Sequence, residues 1–227
     1  MGGILRDGQR LVFAGDSITD AGRRAAHQPL GNGFVRLVHD RLAARHPAMK
    51  FTVLNAGVGG NTIRQLAARW DRDVIDAQPD RVTLLIGVND AWGWIVRREG
   101  CVSPGEYRDI YTDLLARLKR QTRATLVLMD PFLVGRLGAV IEDHRRMLQA
   151  LPRYRSTVHA MARRFNARHL RLQAIFDQRL NTRSAASLAG DAIHPTDAGH
   201  AIIARAWLRA TPVAVCAAVA PQRTATR

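Results

Sequence analysis

A chain of 227 residues, 47% apolar and 23% charged, has the make-up of a globular protein with one sizeable core and excludes a disordered or fibrous one. Its net charge of +15 points toward polyanions, yet the basic residues (all arginine except Lys50 and Lys119) never run longer than two, are densest over residues 145–171, and show no pattern of surface aromatics between them, so no specific nucleic-acid groove is expected. Cys101 and Cys216 are too few for a disulfide framework and read as buried free thiols, while the absence of an apolar leader and of an apolar run near the ~20 residues of a membrane span reads as a cytoplasmic protein without membrane contact.

Short apolar runs alternate with helical patterns. Residues 10–14, 51–55, 81–87, 125–130 and 169–172 are the candidate strands. The first four are nearly continuous in apolar or β-branched residues, as strands buried on both faces of a parallel sheet require. Between the first two, Phe34, Leu37, Val38 and Leu42 fall at helical spacing over residues 34–44. Ile63, Leu66, Ala67, Trp70 and Val74 do the same over residues 62–77. Ser103, Pro104 and Glu106 form a helix start, with Ile110, Leu114, Leu115 and Leu118 as its apolar face. Pro152 predicts a helix beginning only near Tyr154 and running to residue 167. A last helix is expected over 195–210, with Ala198, Ile202, Ala206 and Trp207 facing inward. Residues 1–212 therefore read as one domain and 213–227 as a C-terminal tail. The alternation implies an α/β three-layer sandwich, whose ligands bind beyond the carboxyl ends of the strands.

The segments after those strand ends carry the chemistry. "GDSITD" places Ser17 directly behind the first strand. Alone, Ser17 is a helix cap; as a nucleophile it needs a base, a group orienting that base, and oxyanion donors. "DAIHP" supplies Asp191 and His194, three residues apart at a turn into a helix, so that the carboxylate can hold one ring nitrogen while the other takes a serine proton. No further Cys, His or carboxylate cluster supports the rival reading of a metal pair, and His200, inside the helix, reads as packing or surface. "NAGVGGNT" offers glycine N–H groups without the spacing of a nucleotide loop, and "GVND" places the Asn89 amide beyond the third strand. Asp16 and Asp20 are candidates for holding the serine turn through backbone N–H groups. Asp16, Trp92 and Trp94 complete the set as candidate substrate-bordering residues, with core packing the alternative for one of the two tryptophans.

The blocks "GDSIT", "GGNT", "GVND" and "DAIHP", in this order across nearly the whole chain, resemble the SGNH hydrolases, or GDSL-type esterases. The resemblance implies a flavodoxin-like αβα sandwich on a five-stranded parallel sheet. It also implies Ser17 as nucleophile, His194 as base oriented by Asp191, and an oxyanion site made by the Ser17 N–H, the Gly60 N–H and the Asn89 side chain. Gly60 rather than Gly57 is matched because it stands directly before Asn61. "GGNTIRQLAARW", "GVNDAWGW" and "HPTDAGHAIIARAWL" are similar to the carbohydrate-deacetylating branch, including acetylxylan esterases. A small or oligosaccharide acetyl ester would then be the substrate, with no metal or organic cofactor. Two other readings stay open: a lysophospholipase or thioesterase with the same site, and a polyanion-binding protein on an inactive version of the fold. Self-association is left open as well.

Overall fold

The computed structural model describes residues 4–135 and 142–214. Five strands, β1 (Arg10–Gly15), β2 (Thr52–Gly57), β3 (Arg81–Leu85), β4 (Thr125–Met129) and β5 (Arg168–Leu170), form one sheet in the order β2-β1-β3-β4-β5. Every neighbouring pair is parallel. The order reverses at β1, so the loops after β1, β2 and β3 open at one crevice.

Helices cover both faces. Phe13 and its register partner Thr83 point to one of them. There Phe13 meets Phe34 of α2 (Phe34–Arg45) edge-on, with ring centroids 5.9 Å apart, and Trp207 of α9 (Asp197–Ala210) at 5.3 Å. The Trp207 indole N–H donates to the Thr83 hydroxyl at 2.8 Å, satisfying two polar groups inside the core. On the other face, α3 (Ile63–Ala67) packs on α5 (Pro104–Gln121), and α5 on α6 (Glu142–Arg164). Short helices α1 (Ser17–Asp20), α4 (Val88–Ile95), α7 (Leu172–Arg179) and α8 (Ala185–Leu188) complete the chain.

Four elements depart from the sequence reading. The α6 helix runs through Pro152 instead of starting after it. Its buried stripe, Met147, Leu151, Tyr154, Val158 and Met161, is continuous across the proline, so burial of that face outweighs the missing N–H. The single helix expected over 62–77 is instead α3 followed by a π-helical turn, Asp71–Ile75, with Arg69 at the break. On α9 the buried face is Gly199, His200, Ile203, Ala204 and Trp207, while Ala198, Ile202 and Ala206 are only half-buried. The phase is displaced because His200, a core position here, is polar by composition. Val213 pairs with Leu5, and the Ala214 N–H donates to the Leu5 carbonyl, so these two residues join the fold instead of standing apart from it. Residues beyond 214, Cys216 among them, lie outside the described residues; Cys101 is half-buried rather than buried. No helix among the described residues is long and apolar enough to cross a membrane.

Candidate active site

Ser17 is the first residue of α1, the turn that follows β1. The Asp16 carboxylate caps this turn by accepting from the Ile18 N–H at 3.0 Å. The Ser17 hydroxyl lies 2.9 Å from His194 Nε2. His194 Nδ1 is 2.6 Å from Asp191 Oδ2, and the other Asp191 oxygen accepts the N–H groups of Ile193 (3.0 Å) and His194 (2.7 Å). Burial works to raise the Asp191 carboxyl, but the His194 N–H, the His194 ring and the Ile193 N–H outweigh it and bring it down to about 2. The aspartate is thus ionised throughout the ordinary pH range, and its Nδ1 contact leaves Nε2 free to accept from the hydroxyl. Such a chain moves a proton off the alcohol onto the ring and stabilises the imidazolium that results.

The second loop comes to the same place. A Cβ built on Gly59 would stand 3.9 Å from the Ser17 Cβ. Gly57 is packed so tightly against the backbone of α1 that a Cβ there would meet the Asp20 nitrogen at 2.2 Å, and its own N–H is taken by the Asn55 side chain. Gly60, by contrast, has φ +77° with open space beside it, and nothing among the described residues accepts from its N–H. Asp20 ties this loop to α1, its Oδ2 accepting from the Gly59 N–H and from Arg24 Nε, each at 2.9 Å. The Asn89 amide donates to the Asn61 carbonyl at 3.1 Å, which joins the third loop to the second. Ser17, Asp20 and Gly59 line an open cavity of about 430 Å³.

The remaining candidates lie elsewhere. Asp16 is 1% exposed and sits beneath Ser17 instead of bordering a substrate; burial pushes it up to about 7 against the opposing Ile18 N–H and the His194 charge. Trp92 packs half-buried against the core, its ring 6.3 Å from His144. Trp94 lines a different cavity, of about 670 Å³, with Arg97, Cys101 and Arg146. His200 is a packing residue: its Nδ1 accepts from the Phe34 N–H at 3.2 Å, and burial holds it down at about 4.

Three supports escape the sequence reading. Asp90, fully buried, accepts from the Ile63 N–H with both oxygens (3.0 and 3.2 Å) and so pins the start of α3 to the residue after Asn89. Burial, with the Asp16 charge adding to it, raises Asp90 to about 7. Arg69 reaches the Gly15 carbonyl (3.0 Å), the Ala56 carbonyl (2.7 Å), the Asn61 side chain (2.8 Å) and Asp73 (3.0 Å), bridging the ends of β1 and β2. Asn55 donates to the Thr19 and Leu30 carbonyls at 2.7 and 2.8 Å. The visible signals were an arginine inside the apolar pattern of "QLAARW" and a carboxylate at the start of an otherwise apolar helix. No group of three or more His, Cys, Asp or Glu side chains among the described residues is placed to hold a metal ion.

The chain is similar to known esterases over most of its length. An acetylxylan esterase of Geobacillus stearothermophilus is 36% identical over 213 residues, covering 90% of this chain and 94% of that protein. The solved structure of that organism's acetylxylan esterase Axe2 superposes with a TM-score of 0.80 at 36% identity, over 90% of this chain and 94% of the other. LAE5, an alpha/beta hydrolase from the metagenome of Lake Arreo, Spain, gives 0.80 at 34% identity, over 91% and 96%. Axe2 has also been crystallised as catalytic mutants in which a serine, an aspartate and a histidine are each replaced by alanine. Residues 13–202 match the GDSL-like lipase/acylhydrolase family, to which this chain belongs as a carboxylic ester hydrolase.

Proposed function

We propose that the protein removes acetyl groups from carbohydrates, xylo-oligosaccharides in particular, through a covalent acyl-enzyme. His194 takes the Ser17 proton as the serine oxygen attacks the acetyl carbonyl. The Ser17 N–H, the Gly60 N–H and the Asn89 side chain hold the oxyanion of the tetrahedral intermediate. Collapse breaks the bond to the sugar oxygen, which leaves with the proton carried by His194. Water, deprotonated by the same ring, attacks the acetyl-serine; acetate departs and Ser17 regains its proton. Asp191 fixes the tautomer and balances the imidazolium in both halves. Asp16, buried below, adds negative potential to that ring when ionised, consistent with the influence of His194 on its titration.

The observation that carries this reading is the unbroken Ser17–His194–Asp191 chain of 2.9 and 2.6 Å, beside a Gly60 N–H that no described residue engages. The acetyl and sugar preferences rest on the likeness to acetylxylan esterases. The test is acetate release from acetylated xylo-oligosaccharides. The wild type should release acetate and Ser17→Ala only traces, and p-nitrophenyl acetate should be cleaved well ahead of the octanoate. A Ser17→Ala protein with most of its activity refutes the mechanism, and a preference for octanoate refutes the acetyl assignment.

A further inference from the structure

Arginines that are scattered along the sequence meet on one side of the fold. Arg41 and Arg45 of α2 and Arg205 and Arg209 of α9 line a groove of about 330 Å³. Arg205 also borders a second cavity of about 140 Å³, whose far wall is Arg179 and Arg183 at the end of α7. The six residues are three pairs spaced four apart. Like charges at that spacing repel on a helix surface, and packing the pairs side by side compounds the repulsion. Arg45, Arg209 and Arg179 lie in the last turns of their helices, where the helix dipole offsets part of this. Arg41, Arg205 and Arg183 lie outside those turns.

No carboxylate among the described residues answers them: none of the six takes part in an ion pair, and the Arg179 Nε–H is buried without a hydrogen-bond partner. Elsewhere on the same molecule Arg36, Arg64, Arg69 and Arg117 each meet an Asp or Glu. A concave, uncompensated row of guanidinium forks fits a row of planar anions, because each fork takes a carboxylate bidentately. Neither cavity has an aromatic side chain in its wall on which a base would stack. The groove lies on the C-terminal halves of α2 and α9, away from the ester site at the carboxyl ends of the strands, so a ligand that reaches both must be a long polymer. Arg41 lies seven residues, ~10 Å of helix, beyond Phe34, and the α2 start beside Phe34 adjoins Ala21 at the end of α1.

We propose that this groove between α2 and α9 binds an acidic polysaccharide through its carboxylates and so keeps the protein beside the acetylated carbohydrate on which the Ser17 site acts. The link to cleavage rests on the proposed function; the binding does not. The probe is polygalacturonate, titrated at several salt concentrations, with p-nitrophenyl acetate turnover measured in parallel. One variant combines Arg41→Gln, Arg45→Gln, Arg205→Gln and Arg209→Gln. A control removes equal charge from exposed arginines outside any ion pair, by Arg98→Gln, Arg120→Gln, Arg123→Gln and Arg163→Gln. The groove variant should bind roughly tenfold or more weakly, with the log–log salt slope smaller by about 3, since each lost contact removes ~0.7–0.9. The control should bind nearly as the wild type does, and turnover of the small ester should be equal in all three. Equal losses in the two variants would show net charge alone and overturn the site. A wild type that prefers single-stranded DNA of equal charge would overturn the ligand class. Wild-type binding without any ester turnover would sink the esterase reading and leave the groove standing.

Discussion

Replacing Asp90 with asparagine should make the protein more stable than the wild type above about pH 7, although it removes a charge next to the site. Asp90 is wholly buried, and its carboxyl stands at about 7 instead of the ordinary 3.8. Folding therefore holds a proton that the unfolded chain releases at lower pH. The stability associated with the protonated form is complete below about pH 4, falls as pH rises through the window between the two values, and is gone above about 7. Each unit is worth about 1.4 kcal/mol, so the wild type loses roughly 4 kcal/mol across that window. Asparagine keeps an oxygen for the Ile63 N–H but has nothing to ionise. Its amide hydrogens impose a cost that is the same at every pH, so the informative quantity is the change in the stability difference with pH. Urea unfolding followed by the fluorescence of the fully buried Trp70 and Trp207 at about pH 4.5, 6 and 8 measures it directly. A difference that stays constant from the lowest to the highest pH would mean that Asp90 ionises as easily folded as unfolded, and the argument from burial would be wrong.

Other changes test the site itself. Asn89→Ala should lower kcat by ~10²–10³ with KM little changed, measured on p-nitrophenyl acetate, because an oxyanion donor acts only on the developing charge. Asp191→Asn should cost up to about 10⁴ in kcat by leaving His194 in the wrong tautomer. The same change should flatten the acid limb of the stability curve: the lowered Asp191 pKa contributes stability above about pH 4 that disappears as pH falls toward 2, readable as Tm against pH. Gly57→Ala should fold poorly or lose its activity, since the new methyl would sit 2.2 Å from the Asp20 nitrogen and push α1 away; circular dichroism with an activity assay decides it.

Much of the scaffold was legible because burial on both faces leaves little room for polar residues. The apolar runs of β1, β3 and β4 announced themselves, whereas β2 is buried only over its last three residues, and β5, three residues with a single buried side chain, begins one residue and ends two residues before the range read from the sequence. The helix over Pro152 and the phase of α9 were misread for a common reason: local propensity and residue polarity were set against tertiary packing, and packing prevailed. At the site, Ser17, Asp191 and His194 were readable because they use side chains on each other at characteristic spacing. Asp90 and Arg69 were not, since their partners are backbone N–H and carbonyl groups, which every residue has. The arginine groove was invisible for another reason, as the pair on α2 stands more than a hundred residues before the other two in the chain.

One guanidinium carries a wider consequence. Arg69 spans the Gly15 and Ala56 carbonyls at the ends of two adjacent strands, grips the Asn61 side chain that follows Gly60 and pairs with Asp73. The loop bearing Ser17, the proposed nucleophile, and the loop bearing Gly60, a proposed oxyanion donor, are therefore lashed to a common anchor and would travel together in any breathing motion. In the proposed mechanism these two loops then need no rearrangement relative to each other when the ester arrives, and binding energy is not diverted into bringing them together. Lysine, a single point of charge, could not span those four acceptors, so even this mild exchange should leave the two loops to wander independently.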